Sequence, residues 1–167
     1  MKTIILLVFF GLSIPEVYCQ NYIYKGSQQH PSTSTWDFPV NSADWHILKL
    51  TVAKTKSGGY LMLSTNIHYQ YESIYGPVYL ILQNGKLINL PQRVVSDHVD
   101  GESKVLYVIS SANYELLKQY NIERVRFTIY DNMMKSKENY TADNKKEGGF
   151  YELTKYPTAE EIAAIKD

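Results

Sequence analysis

The chain has 167 residues, 44% of them hydrophobic and 13% aromatic, and its 17 basic and 17 acidic side chains leave a formal net charge of zero. Neutrality argues against nucleic acid or an anionic membrane surface as the principal partner, because both are usually held through a basic surplus. A single cysteine rules out an internal disulfide framework, and no repeat period emerges.

Lys2 precedes an apolar run from Ile4 to Phe10 that continues through Gly11, Leu12 and Ile14 and stops at Pro15. A positive residue followed by an apolar stretch shorter than the roughly 20 residues of a membrane span reads as a secretory signal. Val17 and Cys19 fill the places where small side chains precede a scissile bond, so residues 1–19 are the expected signal peptide and Gln20 the mature N-terminus. The alternative, an envelope lipoprotein lipidated at Cys19, is disfavoured by the bulky Tyr18 before it. The expected product is therefore secreted, periplasmic or in the cell envelope. It has no transmembrane anchor and no thiol, and its core must stabilise it without disulfides.

Residues 20–44 are polar and turn-rich, with Gly26, Pro31, Pro39 and the run Ser32-Thr33-Ser34-Thr35. They read as an arm lying over the domain, pinned by Trp36 and Phe38, with a short strand near Tyr22 to Lys25. The β-rich core, residues 45–131, opens at Trp45. From His46 to Ala53, Leu48, Leu50 and Val52 alternate with Lys49 and Thr51, and from Tyr60 to Ile67, Leu61, Leu63 and Ile67 stand opposite Ser64 and Asn66. Both carry the period of a half-buried strand, and Ser57-Gly58-Gly59 joins them as a hairpin.

A loop is expected over Tyr69 to Gly76. Pro77 to Gln83 is apolar on both faces, as in a strand covered on both sides. Asn84-Gly85 suits the positive φ angles of a tight hairpin turn, which makes Lys86 to Leu90 the return strand. Pro91 to Glu102 reads as a long polar connection before the apolar Lys104 to Ile109. Ser110 or Ser111 can cap a helix whose face is Ala112, Leu116, Leu117 and Tyr120, with Asn121 a left-handed stop. In Glu123 to Tyr130, Val125, Phe127 and Ile129 point inward and Arg124, Arg126 and Thr128 outward.

Residues 132–167 are expected to hold a mobile loop over Met133 to Gly149, an edge strand at Phe150 to Leu153, and a terminal helix capped by Thr158 with Glu161. The sum is six or seven strands. The fold class is mainly β (α+β), an antiparallel β-sandwich-like domain with one inserted short helix and a short C-terminal helix.

Candidate chemistry is sparse. His30, His46, His68 and His98 share no zinc-type spacing, and no Gly-x-Ser-x-Gly occurs, which leaves a small hydrolase as a minor alternative. Asp97, Asp100 and Glu102 around Gly101 give three carboxylates in six residues, the kind of set a calcium loop uses. Their spacing is not that of an EF-hand, and an acidic hairpin loop explains them without an ion, so no cofactor is expected. His68, Tyr69, Tyr71 and Tyr75, with Tyr79 beyond, form an aromatic run whose rings can stack on sugars or anchor a protein when exposed. Tyrosine also favours strands for packing alone. Arg124 and Arg126 share an outward strand face and can grip a carboxylate or phosphate. Asn139-Tyr140-Thr141 fits an N-glycosylation acceptor.

Gly76-Pro77-Val78-Tyr79-Leu80, the Asn84-Gly85 turn, and Glu115-Leu116-Leu117 leading through Ile122 to Arg124-Val125-Arg126-Phe127 together resemble a pattern in small exported proteins of unknown function from Gram-negative bacteria. The resemblance covers about a third of the chain and implies no functional residue. The function expected from the residues is a non-catalytic extracytoplasmic domain that binds a glycan or an envelope protein. A structural partner that completes another protein's sheet is the alternative.

Overall fold

The computed structural model describes residues 20–41, 47–67, 69, 71–145 and 154–166. The expected signal, Trp45, His46, His68 and the expected edge strand at Phe150 to Leu153 lie outside the described residues. The elements in chain order are β1 (Asn21–Lys25), β2 (Gln28–Ser32), β3 (Trp36–Pro39), β4 (Ile47–Thr55), β5 (Gly58–Asn66), β6 (Glu72–Leu82), β7 (Leu87–Leu90), β8 (Arg93–Val99), β9 (Glu102–Ser110), α1 (Ser111–Leu117), β10 (Ile122–Asp131), β11 (Ser136–Asp143) and α2 (Thr158–Ala163). The strands form two antiparallel sheets. The large one has seven strands, ordered β1-β2-β4-β5-β9-β8 with β3 also on β4, and the small one has four, ordered β11-β10-β6-β7. Among the described residues the fold is mainly β, with one short helix inserted between β9 and β10 and another after β11. Among the described residues no helix is long and apolar enough to cross a membrane.

Strand alternation decides which side chains meet between the sheets. Leu48, Leu50 and Val52 of β4, Leu61 and Leu63 of β5, and Val105, Tyr107 and Ile109 of β9 share one core with Ile74, Val78 and Leu80 of β6 and Val125, Phe127 and Ile129 of β10. The polar arm is part of this body. Trp36 and Phe38 are fully buried because β3 pairs with β4, Trp36 opposite Leu50 and Phe38 opposite Leu48. β1 and β2 form a hairpin, and Ile23 packs with Ala53 and Leu106 on the outer side of the large sheet.

Two polar stretches are strands rather than connections. Arg93–Val99 is β8, paired with β9, and Ser136–Asp143 is β11, paired with β10 and bridged to Val40. Both lie at sheet margins, where exposed charge is tolerated and hides the usual alternation. Conversely, β6 is apolar on both sides but covered on only one, since Tyr79 and Ile81 remain half-buried on its outer side.

The turns follow their residues closely. In the β8–β9 hairpin, Asp100 (φ 54°) and Gly101 (φ 77°) are both left-handed, as a two-residue type I′ loop requires. At Asn84-Gly85 only Gly85 is left-handed, at φ 79°. There the Gly85 N–H donates to the Leu82 carbonyl at 2.8 Å, which makes a three-residue loop closed by glycine. Ser110 caps α1, accepting from the Asn113 N–H at 3.3 Å. The capping box expected at α2 does not form, because Thr158 is already helical and its Oγ1 accepts from the Ile122 N–H at 2.8 Å. Asn121 supplies the cap instead, its Oδ1 accepting from the Ala159 N–H at 2.9 Å, and it is not left-handed.

Candidate functional site

The outer side of the small sheet is a lattice set by register. Thr141, Arg126 and Tyr79 form one row across β11, β10 and β6; Asn139, Thr128 and Tyr75 form the next, and Lys137, Tyr130 and Ser73 the one after. At the opposite end the row is Asp143, Arg124 and Ile81. Side chains at every second residue point outward together, so one face gathers aromatic rings, cations and hydroxyls from three strands.

A bulge in β6 shapes this face. Arg126 stands opposite Tyr79 and Thr128 opposite Tyr75, so Gly76, Pro77 and Val78 have only Phe127 across from them. Gly76 takes φ 74°, open to glycine, and Pro77 has no N–H to leave unpaired. Over the bulge lies a depression of about 510 Å³ lined by Pro77, Tyr79, Leu87, Arg126, Thr128 and Asn139, among others.

β7 pairs only with Val78 to Ile81, so side chains of the large sheet satisfy the first half of β6. The Ile74 N–H donates to Ser103 Oγ at 3.0 Å, and Arg93 Nη1 donates to the Ile74 carbonyl at 3.3 Å. The Tyr107 hydroxyl donates to the Gly76 carbonyl at 2.8 Å, and His98 Nε2 donates to the Glu72 carbonyl at 2.7 Å. Burial pushes the Tyr107 phenol up to about 12, with Arg93 pulling weakly the other way, so this hydroxyl stays a donor. The bulged strand is therefore held along its free edge by side chains of the large sheet.

Tyr75 is the hub of that outer side and remains 39% exposed. Its ring lies 5.3 Å from Tyr130, with Lys137 Nζ at 4.8 Å and Arg93 Cζ at 5.5 Å from the ring centre. Thr128 Oγ1 donates to Asn139 Oδ1 at 2.8 Å, which leaves the Asn139 amide N–H groups directed elsewhere.

The residues singled out from sequence fall into three groups. Tyr75 belongs to the sheet face rather than to a loop, whereas Tyr69 and Tyr71 stack on each other just ahead of β6, 5.0 Å apart and 7° from parallel. Desolvation, then the neighbouring Tyr69, Asp131 and Glu72, pushes the Tyr71 phenol above its ordinary value.

The two arginines separate. Arg124 Nε donates to Asp143 Oδ1 at 2.5 Å, while Arg126 is exposed and has no carboxylate partner among the described residues. Burial pushes the Asp143 carboxyl up, but hydrogen bonds from Arg124, Asn41 and Lys145 outweigh it and hold it below its ordinary value.

The three carboxylates do not converge. Asp97 accepts from the adjacent His98 N–H at 2.8 Å, Asp100 sits in the turn, and Glu102 pairs with Lys49 at 2.5 Å and Lys104 at 3.6 Å. Burial pushes the Glu102 carboxyl up, but the hydrogen bond and charge of Lys49, the Lys104 charge and a hydrogen bond from Ser64 outweigh it and hold it below its ordinary value. Among the described residues no group of three His, Cys, Asp or Glu is placed to hold a metal ion, so the calcium arrangement is not assembled.

Tyr130, Thr128, Asn139 and Lys137 complete the face. Tyr130 is legible in the sequence, since it continues the outward series Arg124, Arg126, Thr128 by one more step of two. Lys137 and Asn139 are not legible as members of a sheet face, because nothing in their stretch signals a strand. No family model, curated protein or solved structure matches the chain.

Proposed function

We propose that the protein is an exported, non-catalytic binding domain that takes a glycan on the outer face of its small sheet. The observation that carries this reading is the depression lined by Tyr79, Arg126, Thr128 and Asn139, with Tyr75 and Tyr130 in the adjoining rows of the same outward face. Flat rings with hydroxyl neighbours suit pyranose stacking, and a rigid sheet holds them without an ordering penalty on binding. The test is a glycan array probed with the chain from Gln20, in native form and as Tyr79→Ala. The reading expects hits that the variant loses while it melts at the native temperature. Hits retained in full by the variant would move the site elsewhere.

A second reading, a structural partner acting by strand addition, has its own observation. β8 is a terminal strand of the large sheet, all seven of its residues are exposed, and Val94, Val95 and Val99 are among its exposed apolar side chains. Val95→Pro would block a ladder there. This reading expects the variant to lose a higher-order assembly that the native protein forms in sedimentation, and a native monomer at high concentration would count against it.

A further inference from the structure

We infer that the ligand of the small sheet's outer face is an acidic sugar, with Arg126 gripping its carboxylate and Tyr79 stacking under its ring. This rests on the glycan-binding reading and goes further by naming the sugar's charge.

The distribution of arginine carries the inference. The chain uses lysine for most of its positive charge and has only three arginines, Arg93, Arg124 and Arg126. Arg124 and Arg126 are on β10 of the small sheet, and Arg93, on β8 of the large sheet, reaches it with its side chain. Arg93 lies over the Tyr75 ring and donates to the Ile74 carbonyl, and Arg124 is neutralised by Asp143. Arg126, in the middle of the lattice, is the one among them with neither an ion-pair nor a ring partner among the described residues, and it lines the depression. A guanidinium presents a planar fork that matches a carboxylate with two parallel hydrogen bonds, which a lysine ammonium does not do.

The neighbours of Arg126 complete a sugar site. Tyr79 lies directly across from it on β6 and is half-buried, with no ring partner among the described residues, whereas Tyr75 already meets Tyr130 and two cations. Thr141 lies across from Arg126 on the other side, and Asn139 and Thr128 form the next row. These groups both donate and accept, as sugar hydroxyls require. Pro77 and Leu87 supply apolar walls. Lys137 and Arg93 over Tyr75 add positive charge within one or two rows, on a protein whose formal net charge is zero. A carboxylate on a pyranose ring, as in a hexuronate or a sialic acid, fits both the charge and the flat apolar flank. A neutral sugar would leave the guanidinium facing no partner.

Isothermal titration of the chain from Gln20 tests this with a panel of tetragalacturonate, tetraglucuronate-containing and sialylated oligosaccharides. Each is matched by its neutral counterpart, methyl-esterified or desialylated. The expected result is that at least one acidic member binds and its neutral counterpart binds roughly ten-fold or more weakly. Arg126→Gln should weaken the acidic member by a similar factor, and Arg126→Lys should recover only part of it. Arg126→Gln should melt within about 2 °C of the native protein, since an exposed charge without a partner contributes little to stability. Equal binding of an acidic sugar and its neutral counterpart, unaffected by Arg126→Gln, would overturn the acidic assignment and leave the glycan-binding face standing. Binding of no member, acidic or neutral, would overturn both. Acidic binding that survives Arg126→Gln but disappears with Tyr79→Ala would keep the face and remove Arg126 from it.

Discussion

The outer sides of the two sheets received similar residues and very different treatment. On the large sheet, Tyr60, Met62, Leu106 and Ala53 face outward, and the β1–β2 hairpin folds onto them. Ile23 is buried there, His30 meets the Tyr60 ring edge-on at 5.2 Å, and Lys25 Nζ donates to the Tyr60 hydroxyl at 2.9 Å. On the small sheet, Tyr75, Tyr79 and Tyr130 also face outward, yet Tyr75 keeps 39% of its surface exposed and Arg126 stays in solvent. An aromatic residue on a sheet serves packing where the chain covers it. Where the chain leaves it open beside a free cation, it is available to a ligand.

Substitutions on the two sides should therefore separate stability from binding. The largest loss is expected in the core between the sheets: Trp36→Ala removes a fully buried ring and should lower unfolding free energy by about 3–5 kcal/mol in urea titration. A loss under about 1 kcal/mol would mean that the arm is loosely attached. Ile23→Ala should follow at about 2–3 kcal/mol and speed hydrogen exchange in β1 and β2 without changing exchange in the small sheet.

Tyr107→Phe tests the lock on the free edge of β6. It removes the hydroxyl that satisfies the Gly76 carbonyl, which should cost about 1–3 kcal/mol and loosen the bulge, weakening any ligand on the outer face as well. Unchanged stability would show that water takes over the carbonyl. At the other end of the scale, Tyr79→Ala should change stability by less than about 1 kcal/mol while removing binding.

Acid should act through the ion pairs. Asp143 and Glu102 both lie below their ordinary values in the folded protein, so as pH falls the unfolded chain binds protons first. Their stabilisation is present above the ordinary carboxylate range and is lost as pH falls through the lowered native values. Asp143→Asn should lower stability at neutral pH and flatten the decline below about pH 4, read from urea midpoints across pH. An unchanged acid limb would mean that the Arg124 pair is too exposed to matter.

Much of the fold is legible in the chain because burial on one side of a strand leaves a period of two. β4, β5 and β10 carry that period, and Ser110 announces α1. β3, β8 and β11 escape the same logic. β3 is only four residues long, and β8 and β11 sit at sheet margins where polar residues suffice. The site shows the same division. Tyr75, Arg124 and Arg126 stand out as residue types, and the outward step of two along β10 points from the arginines to Tyr130. That Arg124 is neutralised and Arg126 is not depends on Asp143, whose strand has no periodic signature. The bulge that sets Tyr79 beside Arg126 is likewise a matter of register between β6 and β10, which neither strand specifies alone.

The most direct test of the open face is to follow backbone amide chemical shifts of the labelled chain from Gln20 during titration with the oligosaccharide that binds best. The account predicts that the shifted amides cluster at Tyr75 to Tyr79 of β6, Arg126 to Tyr130 of β10 and Lys137 to Thr141 of β11, with β1, β2 and β8 unmoved. Shifts confined to Arg93–Val99, or centred on the Tyr69 and Tyr71 stack with the lattice silent, would contradict it.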